Sequence, residues 1–208
     1  MFDPLTIVLI LVIVLISMTL HEAVHAYTSY WLGDDTAKAQ GRLTLNPIAH
    51  IDPFLTLALP LLLAIAGQPI FGGAKPVPFN PQNVRYGEIG AAMVAIAGPL
   101  TNLLLAFIGF LILSFVGPLG QFQMAAELFV LVNLGFFIFN ILPIPPLDGS
   151  RVIYAIAPDG VRRIMEIIEQ YGIIVVFAII LLFNQQLGIL LRSMLTFILG
   201  IFQAIVGG

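Results

Sequence analysis

From Leu5 to Leu20 the chain carries no ionisable residue, and the run then ends in His21-Glu22-Ala23-Val24-His25. An apolar run of this kind reads as a membrane span, and ionisable groups inside a span normally face the protein interior and mark function. The spacing points to a particular chemistry. On an α-helix, His21 and His25 fall on one face about one turn apart, so two imidazoles can share one Zn2+. Glu22 is turned round the helix by roughly 100° from His21. It is placed to act as a general base on water beside the ion without being a ligand. The chain has only three histidines in 208 residues, which makes an accidental pairing a poor explanation.

The rest of the sequence supports a membrane protein. It is 60% hydrophobic and 9% charged, where soluble domains carry about 25% charged residues. A net charge of −3 gives no case for nucleic acid. There is no cysteine, so zinc ligands must come from histidine and carboxylate. The N-terminus carries Asp3 where a signal peptide has a positive region, and no small-residue cleavage site follows. The first apolar run is therefore expected to be a retained span.

The expected fold is an all-α polytopic membrane protein, one membrane-embedded domain over residues 1–208. A three-helix core (about 4–155) is built from spans at 4–31, 89–116 and 124–142. Gly33 is expected to cap the first. Residues 158–171 read as an amphipathic helix at the membrane interface, followed by two C-terminal spans at 172–183 and 187–206. The alternation in Gln40-Gly41-Arg42-Leu43-Thr44-Leu45 suggests a short strand or a small β-hairpin. Residues 54–67 are apolar but short for a span and fit a re-entrant or tilted segment.

A catalytic zinc needs three protein ligands and one open position. Asp148, just past Pro143, Pro145 and Pro146, is the best third ligand; Glu127 and Asp52 are weaker rivals. Asp148 can also be read as a turn residue before Gly149. His50 sits in a polar loop, as a capping residue or as a neighbour of the metal. Asn102, inside the second span, needs a partner, either across helices or at the site. Seven of the eight Lys and Arg are Lys38, Arg42, Lys75, Arg85, Arg151, Arg162 and Arg163. Their placement puts the N-terminus outside and the site near the cytoplasmic face. Arg192 does not fit that scheme and either snorkels or sits in the bundle.

Taken together, HEAVH and Asn140-x-x-Pro143-x-Pro145-x-Leu147-Asp148-Gly149 resemble the site-2 protease family of intramembrane zinc metalloproteases. The stretch from Gly41 to Pro53, the run Ala97-Gly98-Pro99-x-x-Asn102 and Ala74-Lys75-Pro76-Val77-Pro78 match the family too. The resemblance is strongest to compact prokaryotic members without PDZ or CBS domains. It implies one Zn2+ held by His21, His25 and Asp148, and Glu22 as proton carrier. His50 and Asn140 match positions near the site and are expected to be substrate or oxyanion helpers. The implied substrates are transmembrane proteins in the lipid bilayer, cut in or near their spans. A strand edge near Arg42–Leu45 is expected to hold such a substrate extended. Two other readings are an inactive relative that binds membrane helices and a metal transporter. Glu22 speaks against the first, because a binder needs no base. The gathering of ionisable groups at one place speaks against the second.

Overall fold

The computed structural model describes residues 4–58, 61–62, 73–116 and 120–207. Among these the regular structure is helical. The helices are α1 (Pro4–Trp31), α2 (Thr36–Ala39), α3 (Gly87–Phe115), α4 (Gln123–Asn140), α5 (Asp148–Ile156), α6 (Asp159–Gln170), α7 (Gly172–Leu182) and α8 (Asn184–Gly207). Short 3-10 turns lie at Pro47–His50 and Gly120–Phe122, and a π-helical turn at Pro53–Ala58.

Among the described residues four helices, α1, α3, α4 and α8, are long and apolar enough to cross a membrane, and the chain is a multi-pass membrane protein. The 28 residues of α1 extend for about 42 Å and the 18 of α4 for about 27 Å, against a hydrocarbon thickness of about 30 Å. The three-helix core and one C-terminal span thus appear as expected. The other C-terminal span is only partly so. Helix α7 has 11 residues, about 16 Å, and cannot cross alone. It reaches spanning length and apolarity only together with α6, from which it is bent by 89°. Of the expected re-entrant segment at 54–67, the start forms the π-helical turn; residues 59–60 and 63–67 lie outside the described residues.

Helix α3 is the centre of the bundle and packs on α1, α4 and α5. Small residues permit the close approach of α1 and α3: Ala23 and Ala26 are fully buried on one, Ala91, Ala95 and Gly98 buried on the other. Ala106, Val130, Leu134, Ile138, Ile198 and Phe202 join α3, α4 and α8. Outward-facing Val8, Val12 and Ile16 keep α1 apolar on its other side too, as a helix bathed in lipid requires. Arg192 lies on the exposed face of α8, not in the bundle.

The expected β-hairpin is absent; no strand forms among the described residues. The alternating residues instead close a helix. Gly41 takes a left-handed φ of +67°, its N–H bonds to Lys38 O at 3.0 Å, and Arg42 N–H bonds to Ala37 O at 2.8 Å. That pair of bonds is a Schellman cap, which ends α2 and satisfies its last carbonyls. Gly33 ends α1 in the same way, with φ +105° and bonds from Gly33 N–H to Tyr30 O and Asp34 N–H to Ser29 O. Thr44 O is taken by His50 Nε2 at 2.9 Å. Arg42 N–H and Thr44 O are thus engaged within the loop, and no strand forms there to offer an edge.

The segment 73–80 has no regular structure and is a strap laid along α1. Ala74 packs against Ile10, Val14 and Met18, and Val77 against Ala26. Lys75 N–H bonds to His50 O, and the Arg42 guanidinium donates to Lys75 O at 2.5 Å and Pro76 O at 3.4 Å. Asp34 anchors the far end. Its carboxylate accepts from Ser29 Oγ, Thr36 N–H and Oγ–H, Asn80 N–H and Asn83 Nδ2. Burial alone would raise this carboxyl; the hydrogen bonds from Thr36, Asn80 and Ser29 outweigh it and hold the group below its ordinary range.

Candidate metal centre

His21 and His25 project from α1 toward α3, and Asp148 reaches them from the first residue of α5. His21 Nε2 lies 3.2 Å and His25 Nε2 3.5 Å from Asp148 Oδ2. The two Nε2 atoms are 3.0 Å apart. Both histidines are buried, and so is Asp148 Oδ2, to which no group among the described residues is shown donating a hydrogen bond. A tetrahedral zinc with bonds of about 2.0–2.1 Å sets its ligand atoms roughly 3.3–3.4 Å apart. The observed separations match that spacing.

The proton inventory gives the same fit. His25 Nδ1 is 2.7 Å from Val94 O. A carbonyl oxygen only accepts, so Nδ1 carries a proton, and in the neutral imidazole Nε2 is left as a lone pair. That lone pair faces another imidazole nitrogen and an orphaned carboxylate oxygen. With the rings neutral, electron-pair donors converge here, an arrangement that suits a cation. The donor set, two imidazoles and one carboxylate with no thiolate, suits zinc.

Helix α3 forms the wall of this site through residues four apart. Val94 O takes His25, Asn102 Oδ1 lies 2.6 Å from His21 Nδ1, and Gly98 stands between them. A Cβ at Gly98 would run into His25 Nε2 and would sit 2.6 Å from His25 Cε1 and 2.8 Å from His21 Cε1. The Asp148 side rests on glycine as well. A Cβ at Gly149 would overlap Ile141 O and lie 2.7 Å from Leu142 O. Gly149 thus lets the start of α5 press against the end of α4. The positive N-terminal end of α5 also favours the Asp148 carboxylate.

Glu22 is buried beside the cluster but outside it. Its Oε2 accepts from Val77 N–H at 2.8 Å. Among the described residues its Oε1 makes no hydrogen bond. The strap therefore orients one oxygen of Glu22 and leaves the other open.

The remaining candidates lie elsewhere. Glu127 is exposed and accepts from Gln123 at 3.0 Å. Asp52 Oδ1 caps Phe54 and Leu55 N–H. His50 is buried against Thr44 O and Arg42, where it holds the loop beneath the strap. Asn140 Nδ2 bonds to Phe136 O within its own helix. The sequence reading passed over Asn133, which is fully buried and bonded to Asn102. Its signal was available, since an amide in an apolar span needs a partner as much as Asn102 does. Val77 acts through its backbone N–H and Arg42 through bonds to the carbonyls of Lys75 and Pro76, and neither left such a signal.

A profile of peptidase family M50 matches residues 118–183. YwhC of Bacillus subtilis, which carries a zinc-metalloprotease name, is 45% identical over 198 residues, covering 90% of this chain and 86% of that protein. Rip2 of Mycolicibacterium smegmatis, named likewise, is 32% identical over 173 residues, covering 80% of this chain and 64% of its own length. MJ0611 of Methanocaldococcus jannaschii is 40% identical over 60 residues, 29% of this chain and 31% of that one. No solved structure matches. The chain belongs to peptidase family M50, the site-2 proteases. It is a zinc metalloprotease whose cofactor is Zn2+.

Proposed function

We propose that this protease cuts peptide bonds in or near the transmembrane segments of other membrane proteins, the chemistry of regulated intramembrane proteolysis. The observation that carries this reading is the depth of the cluster within a span. His21 lies ten residues before the end of α1 at Trp31, about 15 Å along the helix. Helix α1 exceeds a hydrocarbon layer of about 30 Å by about 12 Å, so His21 stays inside the layer even with the whole excess at this end. A bond presented there belongs to a membrane-embedded segment of the substrate.

In this reading His21, His25 and Asp148 hold the zinc, one per chain. Bound there, zinc polarises a carbonyl and lowers the pKa of water to about 7. Glu22, oriented by Val77 N–H, takes a proton from water on its free oxygen and delivers it to the leaving amine. Asn102 and Val94 fix the imidazole rings so that their Nε2 atoms stay on the reacting side. His50 supports the strap through Arg42 and the Lys75 backbone, and helps the substrate only through that loop. Asn140, at the end of α4, is the remaining candidate for donating to substrate oxygen. The whole chain works as one membrane-embedded peptidase domain, with a core at about 4–155 and C-terminal helices at about 158–206. Its N-terminus lies outside and the site opens toward the cytoplasm, on the distribution of Lys and Arg.

The test is cleavage of a model membrane protein by the purified enzyme in lipid vesicles, with fragment masses read directly. New termini are expected inside or at the border of the substrate's apolar segment. Cleavage confined to water-exposed loops, with the apolar segment always intact, would overturn the reading.

A further inference from the structure

We infer that Asn133, on α4 and away from the ion's ligands, sets which nitrogen of His21 is free to bind zinc, acting through Asn102. This rests on the three-ligand reading above and extends it to a positioning residue.

The direction of each hydrogen bond in the relay is fixed from one end. Asn133 Nδ2 lies 2.9 Å from Phe129 O, four residues back in its own helix. A backbone carbonyl can only accept, so the amino group of Asn133 must face it. The Asn133 Oδ1 then faces Asn102, whose Nδ2 donates to it at 2.9 Å. That leaves Asn102 Oδ1 toward His21 Nδ1, at 2.6 Å. An amide oxygen accepts, so Nδ1 of His21 carries the proton. Its Nε2 is therefore a lone pair aimed at Asp148 and His25.

Each amide in the chain could in principle flip, but a flip at one end propagates. With Asn102 reversed, its amino group faces His21 Nδ1, and the proton moves to Nε2, where no metal can bind. With Asn133 reversed, two bonds oppose like with like. Both amides are fully buried between apolar helices, where water cannot repair a lost bond. A plain interhelical tie between α3 and α4 would work in either direction; this chain of bonds works in one. The Phe129 carbonyl fixes the tautomer of a metal ligand across three helices.

The measurement is zinc affinity by chelator competition on the purified, detergent-solubilised protein. The visible spectrum of the Co2+-substituted form is recorded alongside. Asn133→Leu is expected to weaken zinc by about 10–100-fold, the range for lost outer-shell partners, and to change the Co2+ spectrum. Asn102→Leu is expected to do the same, and adding Asn133→Leu to it costs nothing more, because the relay is already cut. Asn133→Ala is read identically if the leucine variant does not fold. Unchanged zinc affinity in the Asn133 variants, or losses that multiply independently in the double variant, would overturn the inference. His25→Ala separates the two levels. If it keeps zinc at parental affinity, the ligand assignment itself fails. If it loses zinc while the Asn133 variants keep it, only the relay fails.

Discussion

Glu22→Gln is expected to lower peptide hydrolysis by about 10²–10⁴-fold, the usual worth of a positioned proton carrier, while zinc stays bound. Glutamine keeps the size of glutamate and an oxygen that can still accept from Val77 N–H, the bond that orients Glu22 at 2.8 Å. It lies outside the cluster of His21, His25 and Asp148, so the ligands do not change. What disappears is the capacity of the free oxygen to take and return a proton. The two readouts must therefore separate: zinc content as in the parent, fragments gone. Equal cleavage by the variant would show that the proton travels by another group. Loss of zinc together with activity would show that Glu22 holds the ion after all.

Gly98→Ala is expected to be nearly as damaging, although it adds one methyl group to a residue with no chemistry. The new carbon would collide with His25 Nε2 and press on Cε1 of both rings. The rings cannot swing aside freely, because their Nδ1 atoms are tied to Val94 O and Asn102 Oδ1 on the same helix. Either α1 and α3 move apart or the Nε2 atoms leave their common point. A misplacement of about 1 Å at a reacting centre costs on the order of 10²-fold in rate. Zinc affinity should fall with it. The sign is informative, since alanine is the better helix former by about 1 kcal/mol. If Gly98 served only the helix, the variant would be more stable and fully active. Zinc content and cleavage rate, measured beside thermal stability, decide between the two.

These results bear on what the sequence could disclose. HEAVH was readable because histidine and glutamate are costly in an apolar run, and Asp148 because the chain offers no thiolate and few carboxylates. The core spans were readable from length and hydropathy alone. The stretch Gln40–Leu45 was misread because a Schellman cap followed by a bent loop alternates polar and apolar residues much as a strand does. Nothing in that pattern reveals that His50 and the cap have already taken the backbone groups. The division of the C-terminal region was legible, with breaks near Tyr171 and Asn184; what was misread is 172–183 as a span of its own, since the 11 residues of α7 reach only about 16 Å and α7 is bent by 89° from α6. Gly98 and Asn133 show the opposite case. Each stands in the sequence as a small or polar residue in a span, with helix packing as a sufficient explanation. Only the placement of two imidazoles against Gly98, and of a backbone carbonyl behind Asn133, gives them a part in the metal centre.

The central claim is that one zinc is held by two imidazoles and one carboxylate within the span. Zinc X-ray absorption on the purified protein tests it most directly. The account predicts one zinc per chain, with two histidine nitrogens and carboxylate oxygen at about 2.0–2.2 Å, and an altered shell in Asp148→Ala. A zinc shell without imidazole, or one that Asp148→Ala leaves unchanged, would contradict it.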